Sequence, residues 1–293
     1  MKSGVVVILG RPNVGKSTLI NYIVGSKISI TSPKPQTTRF KILGVRNFPD
    51  AQIVFVDTPG FHLAKKALNK YLVEVAVKSL EGADIVYLLV EATDFSGREY
   101  PEMLNVLKRT NAPVFLIINK VDICPKKDIE EAEEAFKDMF SFKEIFRISA
   151  LTGRNVDILL EKTKDNLTEG PLYFPIGMIT ALTRELQVAE VVREKIFLFT
   201  RQELPYETAV NVDDMQMREN GMLYVKCTIY VATSSQKGIL IGSKGSMIKK
   251  IGIEARKDLE FISGKPIYLE LNVKVEKDWP EKEEKLKKFG YIT

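Results

Sequence analysis

The run Gly10-Arg11-Pro12-Asn13-Val14-Gly15-Lys16-Ser17 is the first place in the chain where residue type and spacing specify a chemistry. It fits the pattern GxxxxGK followed by Ser or Thr. It follows the apolar run at residues 5–9 and opens a helical stretch at 16–24, as a phosphate loop requires. Glycines let the backbone wrap closely, so successive N–H groups and the helix N-terminus face a phosphate. Lys16 supplies a point charge to the outer phosphates, and Ser17 a hydroxyl to Mg2+. The candidate phosphate-site residues are Gly10, Asn13, Val14, Gly15, Lys16, Ser17 and Thr18.

Three further segments each end an apolar run. Asp57-Thr58-Pro59-Gly60 follows residues 53–56. A carboxylate at the end of a hydrophobic strand points to the ligand edge and can hold Mg2+ through water. Gly60 lets a backbone N–H approach the outermost phosphate. Asn119-Lys120-Val121-Asp122 ends residues 114–118. Guanine presents two adjacent donors that the Asp122 carboxylate can accept together, and adenine lacks that pair. A site built for such a pair rejects the wrong base strongly. Asn119 is expected to reach N7 and the stem of Lys120 to cover the ring. Ser149-Ala150-Leu151 ends the next run, where the Ala150 N–H is expected to meet O6.

A second kind of site lies near the end of the chain. Gly242-Ser243-Lys244-Gly245 fits the GxxG loop of KH domains, between a run ending at Ile241 and the stretch Ser246-Met247-Ile248-Lys249. A sharp glycine turn there brings backbone N–H groups and Lys244 to a sugar–phosphate chain. Lys237, Gly238, Ile241, Ser243 and Lys249 belong to the same candidate RNA edge, and Lys250 adds charge. Residues 226–265 hold eight Lys/Arg and three Asp/Glu, so the net charge of +5 is concentrated in this stretch. A local basic stretch suits a phosphate-backbone partner.

These residues need elements to hold them. Residues 5–9, 53–56, 85–90, 114–118 and 144–148 read as strands. Helical patterns at 16–24, 70–80, 101–109, 129–139 and 156–167 lie between most of them. Such alternation predicts a mostly parallel six-stranded sheet covered on both faces, with ligands at the carboxyl ends of its strands. A strand at 41–47 is expected to pair antiparallel with 53–56 across a turn at Asn47-Phe48-Pro49-Asp50. The domains are predicted as residues 1–168, a Gly/Pro-rich linker at 169–180, and residues 181–293. The last part reads helix (181–194), strands (209–217 and 223–231), two short helices around Gly242–Gly245, and a strand (266–275). That α-β-β-α-α-β order matches the α+β, type II KH topology. Ile251, Ala255, Leu259 and Ile262 read as core, and Trp279 with 282–288 as a mixed-charge surface helix.

With 293 residues, 45% hydrophobic and 28% charged, the chain has the composition of a globular protein, not of a disordered or collagenous one. Cys124 and Cys227 form no CxxC pair and read as free thiols in a reducing compartment. No apolar run reaches the ~18 residues of a membrane span.

The four strand-end motifs in this order resemble the P-loop GTPase domain of translation-factor-related small GTPases. Nearly the whole chain resembles the Era-like GTPases, through Pro35-Gln36-Thr37-Thr38-Arg39, the continuation Phe61-His62 with Ala67-Leu68-Asn69, and Lys237-Gly238-Ile239-Leu240-Ile241-Gly242. That resemblance implies a GTP/GDP-binding, GTP-hydrolysing switch acting on the 3′ end of small-subunit rRNA and in maturation of the 30S subunit. It implies that Thr38 joins Ser17 and Asp57 at Mg2+, that Lys16, Thr38 and Gly60 serve hydrolysis, and that K+ binds near Asn13. It implies a cytoplasmic monomer that also reaches the membrane periphery, with no DNA partner. A nucleotide-regulated scaffold on membrane or protein partners is the alternative. Phe61 stands where many GTPases place a water-orienting glutamine, so slow intrinsic hydrolysis is expected. His62, the single histidine, reads as a loop residue and not a general base.

Overall fold

Apolar runs of strand length alternate with amphipathic helices through the first part of the chain, and the computed structural model lays them out as one layered sheet. The elements are β1 (Lys2–Gly10), α1 (Lys16–Val24), β2 (Ile42–Asn47), β3 (Ala51–Asp57), α2 (Ala67–Lys78), β4 (Ile85–Glu91), α3 (Glu99–Leu107), β5 (Val114–Asn119), α4 (Lys126–Met139), β6 (Glu144–Arg147) and α5 (Val156–Asp165). The structure describes all residues except 35–36, 62–66, 95–96, 202–203, 290 and 292–293.

The sheet has six strands in the order β2-β3-β1-β4-β5-β6. Only β2 runs antiparallel, paired with β3 from Ile42↔Asp57 to Asn47↔Gln52. Every residue of β3 and of β5 is buried, as a sheet covered on both faces demands. Register sets the site. Ile8 lies opposite Asp57, Gly10 opposite Leu89, and Glu91 opposite Asn119. The chemistry-bearing motifs therefore emerge along one carboxyl edge.

By its contacts the chain divides into two compact units, with Leu182 opening the second. Residues 169–180, read from sequence as a linker, lie against the first unit. Thr180 bridges to Gly44 and Glu169 to Lys2. The Val45 N–H donates to Ile179 O at 2.8 Å. The buried Gln52 amide accepts from Tyr173 N at 2.8 Å and donates to Phe174 O at 2.9 Å. This stretch thus covers the open edge of β2, which would otherwise present unpaired backbone groups.

The second unit comprises α6 (Arg184–Phe199), β7 (Thr208–Met217), β8 (Leu223–Val231), α7 (Ser234–Ile241), α8 (Ser246–Ser263), β9 (Ile267–Val275) and α9 (Glu283–Lys288). Its sheet has the order β7-β8-β9. The β8–β9 pair is parallel, so the chain must cross over, and α7 and α8 make that crossing. Ile251, Ala255 and Leu259 are buried on α8, with Ile262 packed beside them.

Three expectations need correction here. First, α6 starts later and runs further than 181–194. Thr183 caps it, accepting from Leu186 N at 3.2 Å, and it continues to Phe199. Glu190, Arg193, Glu194 and Lys195 are all buried on it, which removes the apolar signal that would have extended the helix. They are held by pairing: Arg193 Nε donates to Glu190 at 2.7 Å, and Lys195 Nζ to Asp258 of α8 at 2.6 Å. Second, the helix after the GxxG loop is 18 residues long, not short. Third, Trp279 is fully buried, in a 3-10 turn before a helix of only six residues. Its indole N–H donates to Glu207 O at 2.9 Å, and its ring meets Phe289 edge-on and stacks on Tyr291. Trp279→Ala is expected to destabilise the second unit by about 3–5 kcal/mol. A chemical-denaturation curve followed by circular dichroism checks it, and a midpoint unchanged from wild type would refute the anchoring role.

Among the described residues no helix is long and apolar enough to cross a membrane. Cys227 is a free, buried thiol whose pKa burial pushes up to about 12, and Cys124 is also free.

Candidate functional site

The turn from β1 into α1 needs glycines for two different reasons. At Gly15 the backbone is left-handed (φ 102°), and a Cβ would lie 2.3 Å from the Asn119 amide. At Gly10 a Cβ would lie 2.4 Å from Leu89 O on the neighbouring strand. Asn13 is also left-handed (φ 64°), a conformation asparagine tolerates better than most residues. The loop so formed opens onto a cavity shared with Ser17, Thr18, Thr37, Thr38 and Gly60.

Lys16 lies buried in this loop. Its Nζ donates to Gly10 O at 3.1 Å and Arg11 O at 2.9 Å. Burial lowers its pKa to about 8, against the opposing pull of the Asp57 carboxylate. This is an ammonium held by neutral carbonyls, in a place where an anion would improve its surroundings.

Four oxygen-bearing side chains meet beside it. Ser17 Oγ donates to Asp57 Oδ2 at 2.7 Å and lies 2.9 Å from Thr38 Oγ1. Ser29 Oγ donates to the same Oδ2 at 2.7 Å. Asp57 Oδ1 is buried and has no hydrogen-bond partner among the described residues. Burial raises the Asp57 pKa, opposed by Lys16 and the three hydroxyls. A buried carboxylate oxygen left unpaired is costly unless something positive meets it. The donor set is all oxygen, the preference of a hard divalent cation such as Mg2+. The residues present therefore fit Mg2+.

The other strand-end motifs close the edge. Gly60 packs so tightly that a Cβ would lie 2.8 Å from the Pro12 backbone, and Phe61 N donates to Gly10 O at 3.0 Å. Thr58 Oγ1 donates to Ile8 O at 2.7 Å, fixing the turn to β1. The Phe61 ring is turned into the hydrophobic core. His62, Pro35 and Gln36 lie outside the described residues.

Asn119 differs from its expectation. It is buried, donating to Val14 O at 2.8 Å and accepting from Ala150 N at 2.8 Å. The Ala150 N–H expected at the base is thus directed at Asn119. One Nδ2 hydrogen of Asn119 remains for a ring nitrogen. Lys120 is left-handed (φ 63°), and its Nζ pairs with Glu91 at 2.5 Å, which stretches its stem along the edge. Asp122 is exposed, Ser149 is buried, and the Leu151 side chain faces solvent.

Sequence reasoning missed three positioning residues. Arg11 pairs with Asp94 and with Glu99 (3.1 Å) and sits 5.6 Å over the Tyr100 ring, fixing the loop to the start of α3. Asn21 on α1 accepts from Ile28 N and Ser29 N at 3.0 and 2.9 Å and donates to Ser29 O at 2.7 Å. Ser29 is the third. No motif marks any of them, because each acts across a distance that spacing does not encode.

In the second unit, Gly242 and Gly245 are both left-handed in φ (73° and 78°), and Lys244 between them has φ 51°. A Cβ on Gly242 would lie 2.8 Å from Met247, whereas one on Gly245 would meet nothing within 4 Å. Gly242 is thus set by packing, and Gly245 by conformation beside open space. Ser243, Lys244 and Lys249 are exposed, and Lys237 and Ile241 half-buried. Gly238 is exposed with open space above it. Next to the loop, α8 and β9 border a cavity of about 330 Å³ lined by Lys249, Ile253, Arg256, Tyr268 and Leu271.

Residues 5–120 match the family model described as 50S ribosome-binding GTPase, and residues 203–280 that described as KH domain. The GTPase Era of Geobacter metallireducens is 51% identical over 291 residues, 99% of this chain and 98% of that protein. The GTPase Era of Halothermothrix orenii is 44% identical, covering 99% of this chain and 98% of that one. A crystal structure of an Aquifex aeolicus Era variant bound to GDP and AlF4− covers both chains fully at 43% identity, with a TM-score of 0.96. A structure of Era with MgGDPNP and nucleotides 1506–1542 of 16S ribosomal RNA matches with the same TM-score, identity and coverage.

Proposed function

This chain belongs to the Era family of GTPases, and from that premise we propose that it is a GTP-hydrolysing switch whose second domain binds the 3′ end of small-subunit rRNA in 30S maturation. One observation carries the reading: a single chain holds both an oxygen cluster around a buried lysine and a GxxG turn beside open space.

At the first site Lys16 carries its ammonium to the outer phosphates. Ser17, Thr38 and Asp57 hold Mg2+, which neutralises charge on the phosphate oxygens. Asp122 accepts the guanine donors, while Asn119 ties the phosphate loop to the segment at Ser149. With Phe61 in the core, no glutamine orients water at that position, so stabilisation of the transferring group falls to Lys16 and backbone N–H groups. Slow intrinsic hydrolysis follows.

Asn13 links the phosphate loop to the segment that carries Thr38, its amide donating to Pro33 O at 2.8 Å. Its own amide oxygen and that carbonyl are donors suited to K+, which would act as a second cation at the phosphates. Hydrolysis is expected to be about tenfold or more faster in KCl than in NaCl, with Asn13→Ala removing the difference. Equal rates of wild type in the two salts would exclude K+.

Lys237, Lys244 and Lys249 surround the RNA turn and make no ion pair among the described residues. Their charge is therefore available to a phosphate backbone. Fluorescence anisotropy with an RNA matching nucleotides 1506–1542 of 16S rRNA tests the assignment. Gly245→Asp puts a carboxylate and a disfavoured left-handed backbone at the contact. It is expected to weaken binding at least tenfold while leaving GTP binding intact. Unchanged RNA affinity would refute the role of the loop.

A further inference from the structure

The outer face of the second unit's sheet is covered near Thr228 and Tyr230, where Phe289 packs on the Tyr230 ring, and opens towards Tyr268, which is exposed. Leu223, Val225, Ile267 and Leu269 point into the core, so their neighbours Tyr224 and Tyr268 point out. These two tyrosines are a directly opposed pair in the β8–β9 register. Their rings lie 5.9 Å apart and only 16° from parallel, stacked against one another across the strand pair. Tyr224 is held there by its hydroxyl, which donates to Glu270 at 2.8 Å.

Arg218, from the turn between β7 and β8, lies over both rings, 4.5 Å from the Tyr224 centroid and 5.3 Å from that of Tyr268. It is exposed and makes no ion pair among the described residues. The nearby carboxylates are otherwise engaged: Glu270 with Tyr224 and Lys226, and Asp214 with the Gln216 amide. An exposed guanidinium lying over two aromatic rings, with no carboxylate paired to it among the described residues, offers its cationic plane as a further stacking surface. Stacking on aromatic and guanidinium planes is how proteins hold unpaired bases.

Position decides what the surface is for. Tyr268 also lines the cavity between α8 and β9 that begins beside the GxxG loop, together with Lys249 and Arg256. The platform therefore continues the basic groove around the edge strand β9. We infer that Arg218, Tyr224 and Tyr268 form a base-stacking site for single-stranded RNA that has passed the GxxG loop and turned over β9. The inference rests on the RNA reading above and extends it to a face of the sheet away from the glycine turn.

The test uses the full chain and the RNA of nucleotides 1506–1542, with 2-aminopurine placed in turn at each adenine. Arg218 is the discriminating residue, since it lies outside the groove. Arg218→Ala and Tyr268→Ala are expected to weaken binding about tenfold, within the range of one lost base stack. Tyr268→Phe is expected to bind like wild type. One labelled position is expected to be quenched on binding wild type, and to regain its fluorescence with Arg218→Ala and with Arg218→Lys, which keeps charge but loses the plane. If wild type binds, Gly245→Asp does not, and both alanine variants match wild type in affinity and quenching, the platform is overturned and the RNA reading stands. If wild type itself fails to bind, both fall.

Discussion

Asp122→Asn is expected to lower affinity for GTP by about a thousandfold or more and to raise affinity for XTP. A carboxylate accepts from guanine N1–H and the amino group together. An amide in its place turns one of its two ends into a donor and faces the base with a like group. Discrimination of this kind is large because the mismatched groups are left desolvated and unpaired. The surroundings of Asp122 favour a clean result. It is exposed at the end of β5, and the turn before it is fixed by left-handed Lys120 and its pair with Glu91 at 2.5 Å. The variant should therefore fold normally. Competition of GTP and XTP for a fluorescent GDP analogue reads both affinities, and an unchanged GTP affinity would remove Asp122 from the base site.

Lys16→Ala is expected to weaken nucleotide binding by at least about a hundredfold. Hydrogen bonds to charged groups are worth ~1.5–3 kcal/mol each, and the ammonium serves more than one phosphate oxygen. That ammonium also donates to Gly10 O and Arg11 O, so its removal releases two contacts that shape the loop. Titration of the fluorescent GDP analogue measures the loss. A thermal melt of the variant separates failure to bind from failure to fold. Binding within a few-fold of wild type would contradict the assignment.

What the sequence made legible was local. Strand length, helical period and glycine placement located the six strands of the first sheet, the antiparallel β2–β3 pair and the GxxG crossing of the second. Lys16, Ser17 and Asp57 could be named because motif spacing encodes a turn at a strand end, and Thr38 only through the resemblance to the Era-like GTPases. Arg11, Asn21 and Ser29 could not, since their partners are brought to them only by the fold. Asn119 was legible as a site residue but not as the tie between Val14 and Ala150. The extent of α6 was hidden for another reason: Glu190, Arg193, Glu194 and Lys195 look like surface residues until their partners are seen. Trp279 was misjudged because charged neighbours on a short helix outweighed one aromatic side chain in the local pattern.

Thr38 joins the oxygen cluster, and the Asn13 amide reaches Pro33 O, so both Thr38 and Pro33 are tied to the phosphate site. A switch built on those ties must couple nucleotide state to RNA affinity, and the coupling free energy must be the same in both directions. The direct measurement is the affinity of the full chain for the RNA of nucleotides 1506–1542, with GDPNP and then with GDP. Binding is expected to be about tenfold tighter with GDPNP and abolished in both states by Gly245→Asp. Equal affinity with the two nucleotides would contradict the switch, and no binding with either would contradict the RNA function itself.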